Sequence, residues 1–336
     1  MLDTKISKIN DNSLEFAKNL ILNNQLVAFP TETVYGLGGL AASDDAISLI
    51  YKTKGRPSDN PLIVHVHKNY DISKLVIVEY DYIKKLQEAF LPGPLTMVFK
   101  SKGNVSNLVS CGLETLAIRV PEHQGCQEFL EYLDLPIAAP SANISKHTSP
   151  VTAEHVFNDL NGKINLILDG GKCVGGIEST VLDVTTEMPT ILRSGLVTAD
   201  MIKNVVGRCE YSKNLSTDKL RSPGCKYSHY NPKCKTAFFD RNDLENAIKL
   251  YNEYEKSGKK PYFLCDDEIA HKLGGNVLNL GVSGKEIASN LYDKLLEGEK
   301  IADLIIGISI DTGTDIDVGI MNRFTKACSN DNNLWF

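Results

Sequence analysis

No apolar stretch in this sequence approaches the roughly 18 residues that a membrane-spanning helix needs, and its longest candidates, such as Ile305 to Ile310, are strand-sized. It also lacks any C-x-x-C pair: the eight cysteines, at 111, 126, 173, 209, 225, 234, 265 and 328, share no repeating spacing. That pattern argues against a zinc ribbon or a dithiol redox pair. Eight cysteines in 336 residues are likewise too sparse for a disulfide scaffold. The amino terminus, Met1 to Ile6, mixes charges where a secretory signal has an apolar run. These absences together predict a soluble cytoplasmic protein with reduced, mostly buried thiols. Basic residues are not in excess either, since 36 Lys and Arg against 42 Asp and Glu give a net charge of −6. A dedicated nucleic-acid scaffold needs the opposite balance, so only a local basic patch remains open.

The common nucleotide motifs are missing too. There is no G-x-x-x-x-G-K-[ST]; Gly171-Lys172 runs into Cys173 and lacks the earlier glycine. Gly36, Gly38 and Ala41 do spell G-x-G-x-x-A. However, Pro30 to Tyr35 separates them from the preceding strand-like run, and no strand ending in an acid lies about 20 residues on. Neither a P-loop nor a dinucleotide fingerprint is supported.

What is present is a globular composition, with 42% hydrophobic and 23% charged residues, which excludes disorder, collagen and coiled coil. The length predicts about two domains. In the first, 1–207, strand-like runs at Leu26 to Phe29, Leu62 to Val66, Leu95 to Phe99, Leu116 to Val120, Ile137 to Ala139, Leu166 to Leu168, Thr180 to Val184 and Ile191 to Leu192 are separated irregularly. Helical patterns fall near 44–53, 81–90, 124–133, 152–160 and 199–206, and a capping-box pattern of Asn12 with Glu15 announces an earlier helix. Elements that do not alternate strictly predict a mixed, twisted open α/β sheet. Residues 208–235 form a basic segment with Pro223, Gly224 and Pro232, read as a solvated linker that Tyr227 and Tyr230 make less passive. From 236 to 336, strands at Ala237 to Phe239, Tyr262 to Cys265, Val277 to Leu280 and Leu304 to Ile308 alternate with helices near 242–257, 267–273 and 284–297. Such a βαβ rhythm predicts a smaller, Rossmann-like parallel domain.

Polar clusters recur where strands stop, the usual place for ligand groups in an open sheet. They are Pro30 to Gly36 with Glu32 and three hydroxyls; Lys52 to Pro61 with Lys54 and Arg56; Pro140 to Ser145; Gly175 to Thr180; and Arg193. Each has a plain reading as a turn, a helix C-cap or a strand-end charge. His65 and His67 alternate on one face and could together ligate a metal, but one ligand-binding imidazole beside one solvated or core histidine is the better fit. Arg119 at a strand end is costly to bury and calls for a carboxylate partner, internal or from substrate. In combination these groups describe a concave basic site for an anionic substrate and a phosphate chain. No Ser-His-Asp arrangement or nucleophilic cysteine is legible, which favours catalysis by positioning and electrostatics.

Phe29-Pro30-Thr31-Glu32-Thr33-Val34-Tyr35-Gly36-Leu37-Gly38, Lys54-Gly55-Arg56-Pro57 with Asn60 to His65, Pro92-Gly93-Pro94-Leu95-Thr96, Pro140-Ser141-Ala142-Asn143 and Glu178-Ser179-Thr180-Val181 resemble the YrdC-like threonylcarbamoyl-AMP synthase family. Ser222-Pro223-Gly224, Lys226-Tyr227, His229-Tyr230 with Pro232 and Ile320-Met321-Asn322-Arg323 resemble its long two-domain form, so the likeness runs from about 14 to 328.

The resemblance implies synthesis of threonylcarbamoyl-AMP from L-threonine, bicarbonate and ATP with release of pyrophosphate, the first step of threonylcarbamoyl modification of tRNA. It implies a threonine site at Thr33, Tyr35, His65, Arg119, Ala139 and Ser179. It also implies an ATP site at Arg56, Asn60, Thr115, Ser141, Ser149, Arg193 and Tyr230. Lys54 with Arg56 and Ser141 with Asn143 are the pairs the resemblance implies as catalytic, handling phosphate charge and orientation. Mg2+ is expected to arrive with ATP, with no zinc and no NAD. The expected partner is a downstream tRNA threonylcarbamoyl transferase complex, with weak tRNA binding and no membrane. The segment from Tyr227 to Tyr230 would then act as a lid. Cys225, Ser194 and Lys146 depart from the usual Met, Pro and Gly of the family. Two competing readings are a double-stranded RNA or tRNA-binding module on the same basic surface, and carbamoyl-phosphate-dependent carbamoyl-adenylate chemistry.

Overall fold

The structure, a computed structural model, describes residues 2–212 and 230–328. Cys225 and the proposed lid segment up to His229 lie outside the described residues. The described chain divides into two units, one of 2–145, 150–174 and 178–212, the other of 146–149, 175–177 and 230–328. The expected contiguous first domain, 1–207, therefore differs in two short segments that group with the second unit.

The first unit contains β1 (Lys5–Lys8), α1 (Asp11–Leu22), β2 (Val27–Phe29), β3 (Gly36–Leu40), α2 (Asp44–Lys54), β4 (Ile63–His65), β5 (Val76–Ile77), α3 (Asp81–Phe90), β6 (Leu95–Ser101), α4 (Asn107–Ser110), β7 (Thr115–Arg119), α5 (Gln124–Leu133), β8 (Ile137–Ala139), α6 (Ala153–Leu160), β9 (Leu166–Asp169), β10 (Thr180–Asp183), β11 (Thr190–Arg193), α7 (Ala199–Val206) and β12 (Glu210–Tyr211). Its sheet runs β1-β9-β2-β3-β8-β4-β7-β6-β10-β11-β12, with β5 added on β6. Parallel pairs such as β4 with β7 sit beside antiparallel pairs such as β6 with β7, so the sheet is mixed as its irregular rhythm predicts. Under one part of it, α1 and α5 bury Leu14, Ala17, Ile21, Phe129 and Leu130 against Val27, Phe29 and Leu168.

Two local readings change. Helix α1 is capped by Asn10, whose side chain accepts from Ser13 N while Ser13 Oγ accepts from Asn10 N, so the box is Asn10 with Ser13 rather than Asn12 with Glu15. Glu15 instead accepts from Asn19 and from the Tyr132 hydroxyl. Strand β3, sequence GLGGL, escapes a propensity reading because glycine is depleted in strands. Its glycines answer to packing: a Cβ on Gly38 would lie 2.7 Å from Ile137 Cγ2 and 2.8 Å from the Phe29 ring.

The second unit contains β13 (Lys235–Phe239), α8 (Leu244–Lys256), β14 (Pro261–Cys265), α9 (Asp267–Ala270), β15 (Val277–Asn279), α10 (Gly284–Ile301), β16 (Leu304–Ile308) and α11 (Ile316–Cys328). Its four strands are all parallel in the order β13-β16-β14-β15. Ala247 and Tyr251 of α8 and Ile269 of α9 pack on Phe263, Ile306 and Ile308. On the other face, Gly298 of α10 meets Leu278 and Ile305, and Gly307 of β16 meets Phe324 of α11. Covering on both faces explains why these strands read as continuous apolar runs. Among the described residues no helix is long and apolar enough to cross a membrane.

Candidate active site

The turn after β2 is built by Thr31. Its hydroxyl accepts from Thr33 N and Val34 N and donates to Val34 O at 2.6 Å. With its one proton committed there, the 2.9 Å contact with Thr33 Oγ1 makes Thr33 the donor. Thr33 Oγ1 in turn accepts from Arg119 Nη2 at 2.7 Å. A side-chain chain thus runs from the turn to the end of β7, and all its members are buried.

Register brings the other groups beside Arg119. His65 of β4 and Thr96 of β6 are its direct cross-strand partners, so the three side chains share one face. Thr96 Oγ1 lies 2.8 Å from Ser179 Oγ, and Arg193 at the end of β11 donates through Nε and Nη2 to Ser179 O and through Nη2 to Ser179 Oγ. Beside these polar groups Ile63, Val98, Ala117 and Val181 form an apolar floor. In the sequence Thr96 is only one residue of the Pro92–Thr96 motif; its register is what gives it a place beside Arg119.

The internal carboxylate expected for Arg119 is Glu32, whose Oε2 lies 2.8 Å from Arg119 Nη2 with both side chains almost fully buried. Neither Glu32 oxygen has a hydrogen bond of good geometry, nor does Arg119 Nε. A buried ion pair of this kind is a poor source of net stability. His65 donates from Nδ1 to Ile63 O at 3.1 Å, since a carbonyl can only accept, which leaves Nε2 as the lone-pair nitrogen. Burial, reinforced by the Arg119 charge, pushes His65 down to about 3, so it is neutral at physiological pH. His67 stands apart, paired with Asp134 at 3.0 Å. Among the described residues no group of three His, Cys, Asp or Glu could hold a metal ion.

Lys54, the last residue of α2, is buried with its ammonium on the backbone carbonyls of Ser141 and Asn143. Burial, and secondarily the neighbouring Arg56 charge, holds its pKa well below the ordinary lysine value. It fastens the 141–143 loop. Arg56 reaches back to Asn60 O and Pro61 O at 3.2 Å. Gly36 bridges to Ser141, and Tyr35 O accepts from Ala142 N, so the turn after β2 and the loop after β8 are stitched together near Ala139. The Tyr35 hydroxyl donates to Gly171 O at 2.8 Å and burial raises its pKa, so it serves the 169–171 turn. Thr115 opens β7, on the same face as Arg119. Ser149 and Tyr230 belong to the second unit.

Two family profiles match this chain: one described as Telomere recombination over residues 19–195, the other as Threonylcarbamoyl-AMP synthase, C-terminal domain, over 197–329. A Bacillus subtilis protein named threonylcarbamoyl-AMP synthase is 41% identical over 95% of this chain and 93% of its own length. One of the same name from Pyrococcus abyssi is 36% identical over 95% of both chains. The crystal structure of P. abyssi Sua5 complexed with L-threonine superposes with a TM-score of 0.86 at 34% identity, covering 98% of each chain. The order of motifs, the mixed sheet and these full-length likenesses agree: the chain belongs to the threonylcarbamoyl-AMP synthase family, in the form that carries the C-terminal domain.

Proposed function

We propose that this protein is a nucleotidyltransferase that joins L-threonine, bicarbonate and ATP into threonylcarbamoyl-AMP, releasing pyrophosphate and water. The observation that carries this reading is the buried Arg119 held by Thr33 beside a neutral His65 and the Thr96–Ser179 pair, a constellation suited to a small amino acid. Arg119 takes the threonine carboxylate, and the His65 lone pair accepts the threonine hydroxyl proton. Ser179 and the Ala139 backbone close the pocket.

The threonine amine attacks carbon dioxide, formed from bicarbonate by breaking its C–OH bond, to give a carbamate; the amine proton and the departing hydroxide leave together as water. A carbamate oxygen then attacks the α-phosphorus in line, its bond to the bridging oxygen breaks, and pyrophosphate leaves with the electron pair. With no protein nucleophile assigned among the described residues, acceleration comes from holding the reactants together and balancing charge on the leaving group. Arg56, Asn60, Thr115, Ser141 and Arg193 of the first unit are assigned to the nucleotide, with Asn143 orienting and Lys54 fixing their loop; Ser149 and Tyr230 are assigned to it on family likeness. Mg2+ enters as MgATP, its ligands chiefly phosphate oxygens. The labile product passes, in the cytoplasm, to a transferase acting on tRNA.

Calorimetric titration tests the pocket. L-threonine should bind the wild type and lose at least about tenfold in affinity in R119A and T33A. Equal binding by all three proteins would remove the threonine site from this face of the sheet.

A further inference from the structure

Among its described residues the second unit shows no catalytic cluster of its own, yet three short segments converge on its helix α10. His147 Nε2 lies 2.8 Å from Glu299 Oε2, both side chains largely buried. The same oxygen accepts from Lys233 N at 3.0 Å. One carboxylate of α10 therefore ties 146–149 to 230–233. The two segments also pair directly: Asn231 N donates to Lys146 O at 2.9 Å, Thr148 Oγ1 donates to Tyr230 O at 2.9 Å, and His147 bridges Asn231. About two turns earlier on α10, Tyr292 stacks on Tyr230 at 5.3 Å between ring centroids. Gly176 presses its backbone on Ala288 and Ser289 of the same helix.

These ties hold an uncommon backbone. Lys146 has φ 74° and Tyr230 φ 76°, the left-handed region that bulky side chains avoid. Each such residue is strained and persists only when its surroundings fix it. Here they are fixed from both sides by hydrogen bonds and by the stacked ring. Where the family commonly has glycine, Lys146 increases the dependence on those ties.

We propose that Glu299 is a positioning residue for the nucleotide: through His147 it sets Ser149, and through Lys233 it sets Tyr230, which Tyr292 of the same helix holds independently by stacking. The inference rests on the synthase reading above, which assigns Ser149 and Tyr230 to ATP. It gives the second domain a role, that of frame for the two nucleotide-contacting residues it contains. The burial of Glu299 is costly unless its oxygens are hydrogen-bonded. Its two partners and its depressed pKa, against the raising effect of burial, meet that condition through His147 and the Lys233 amide.

The test is calorimetric titration of the intact protein with α,β-methylene-ATP and, separately, with L-threonine, in wild type, Glu299→Ala, Glu299→Gln and Tyr292→Leu. Glu299→Ala should weaken the ATP analogue at least about tenfold while changing threonine affinity by less than about twofold. Glu299→Gln, which keeps the hydrogen bonds, should recover most of the loss. Tyr292→Leu retains the apolar bulk without the stack and should reproduce the ATP-selective loss should Glu299→Ala fail to fold. Unchanged analogue affinity, or equal loss for both ligands, would overturn the proposal. Because these are binding measurements, a wild type without threonine-dependent turnover would defeat the synthase reading separately from this one.

Discussion

Arg119 Nη2 stands 2.7 Å from Thr33 Oγ1 and 2.8 Å from Glu32 Oε2, so the buried cation is held by two residues of one turn. The turn after β2 and the end of β7 are therefore one electrostatic unit. Removing the carboxylate alone leaves a buried charge unpaired. E32A should cost about 3–5 kcal/mol in stability, and E32Q, which keeps the volume but also lacks the charge, a comparable amount. Urea unfolding measures both, and an E32A as stable as wild type would show that the Arg119 charge is neutralised elsewhere.

Lys54 yields a prediction of a different kind, because its donors are spent on the carbonyls of Ser141 and Asn143. K54M keeps the length and loses the hydrogen bonds. It should cost about 1–3 kcal/mol and reduce turnover through a misplaced 141–143 loop, even though the burial penalty of the charge disappears. Hydrogen exchange would find those loop amides less protected. Unaltered protection with lost turnover would return Lys54 to direct phosphate contact.

The site was legible in the sequence to the extent that its residues cluster locally. Strand-end motifs such as Thr31 to Tyr35 and Ser141 to Asn143 stand out because turn chemistry and hydroxyls are local signals. The anchoring of Lys54 on a loop 87 residues away is not local, and neither is the pairing of Thr96 with Ser179, 83 residues apart. The parallel domain was legible because buried βαβ strands are long apolar runs, as in Leu304–Ile308. Strand β3 was hidden by its glycines, whose reason lies in Phe29 and Ile137. The segments 146–149 and 175–177 were read with their sequence neighbours, since nothing local marks a backbone that groups with another unit.

That packing of β3 is itself testable. In G38A the new methyl meets Ile137 and the Phe29 ring at separations below van der Waals contact. The strand must shift, at a cost of about 1–3 kcal/mol. A G38A variant with the wild-type Tm would mean that Phe29 rotates away freely.

His65 sets a pH dependence. Folded, it is neutral down to about pH 3; unfolded, it takes a proton near 6.5, so between these values the unfolded chain binds more protons. Its contribution is complete above about 6.5 and is lost as pH falls, at up to about 1.4 kcal/mol per pH unit. H65N should flatten that part of the stability profile in chemical unfolding at pH 4 to 7. A wild-type profile identical to that of H65N would contradict a buried neutral imidazole.

The account as a whole turns on whether threonine is required for ATP cleavage between the α- and β-phosphates. The direct measurement is pyrophosphate release from ATP with bicarbonate, with and without L-threonine, while mass spectrometry follows the adenylate. The account predicts release that depends strictly on threonine and a product with the mass of threonylcarbamoyl-AMP. Release without threonine, or a requirement for carbamoyl phosphate instead, would contradict it.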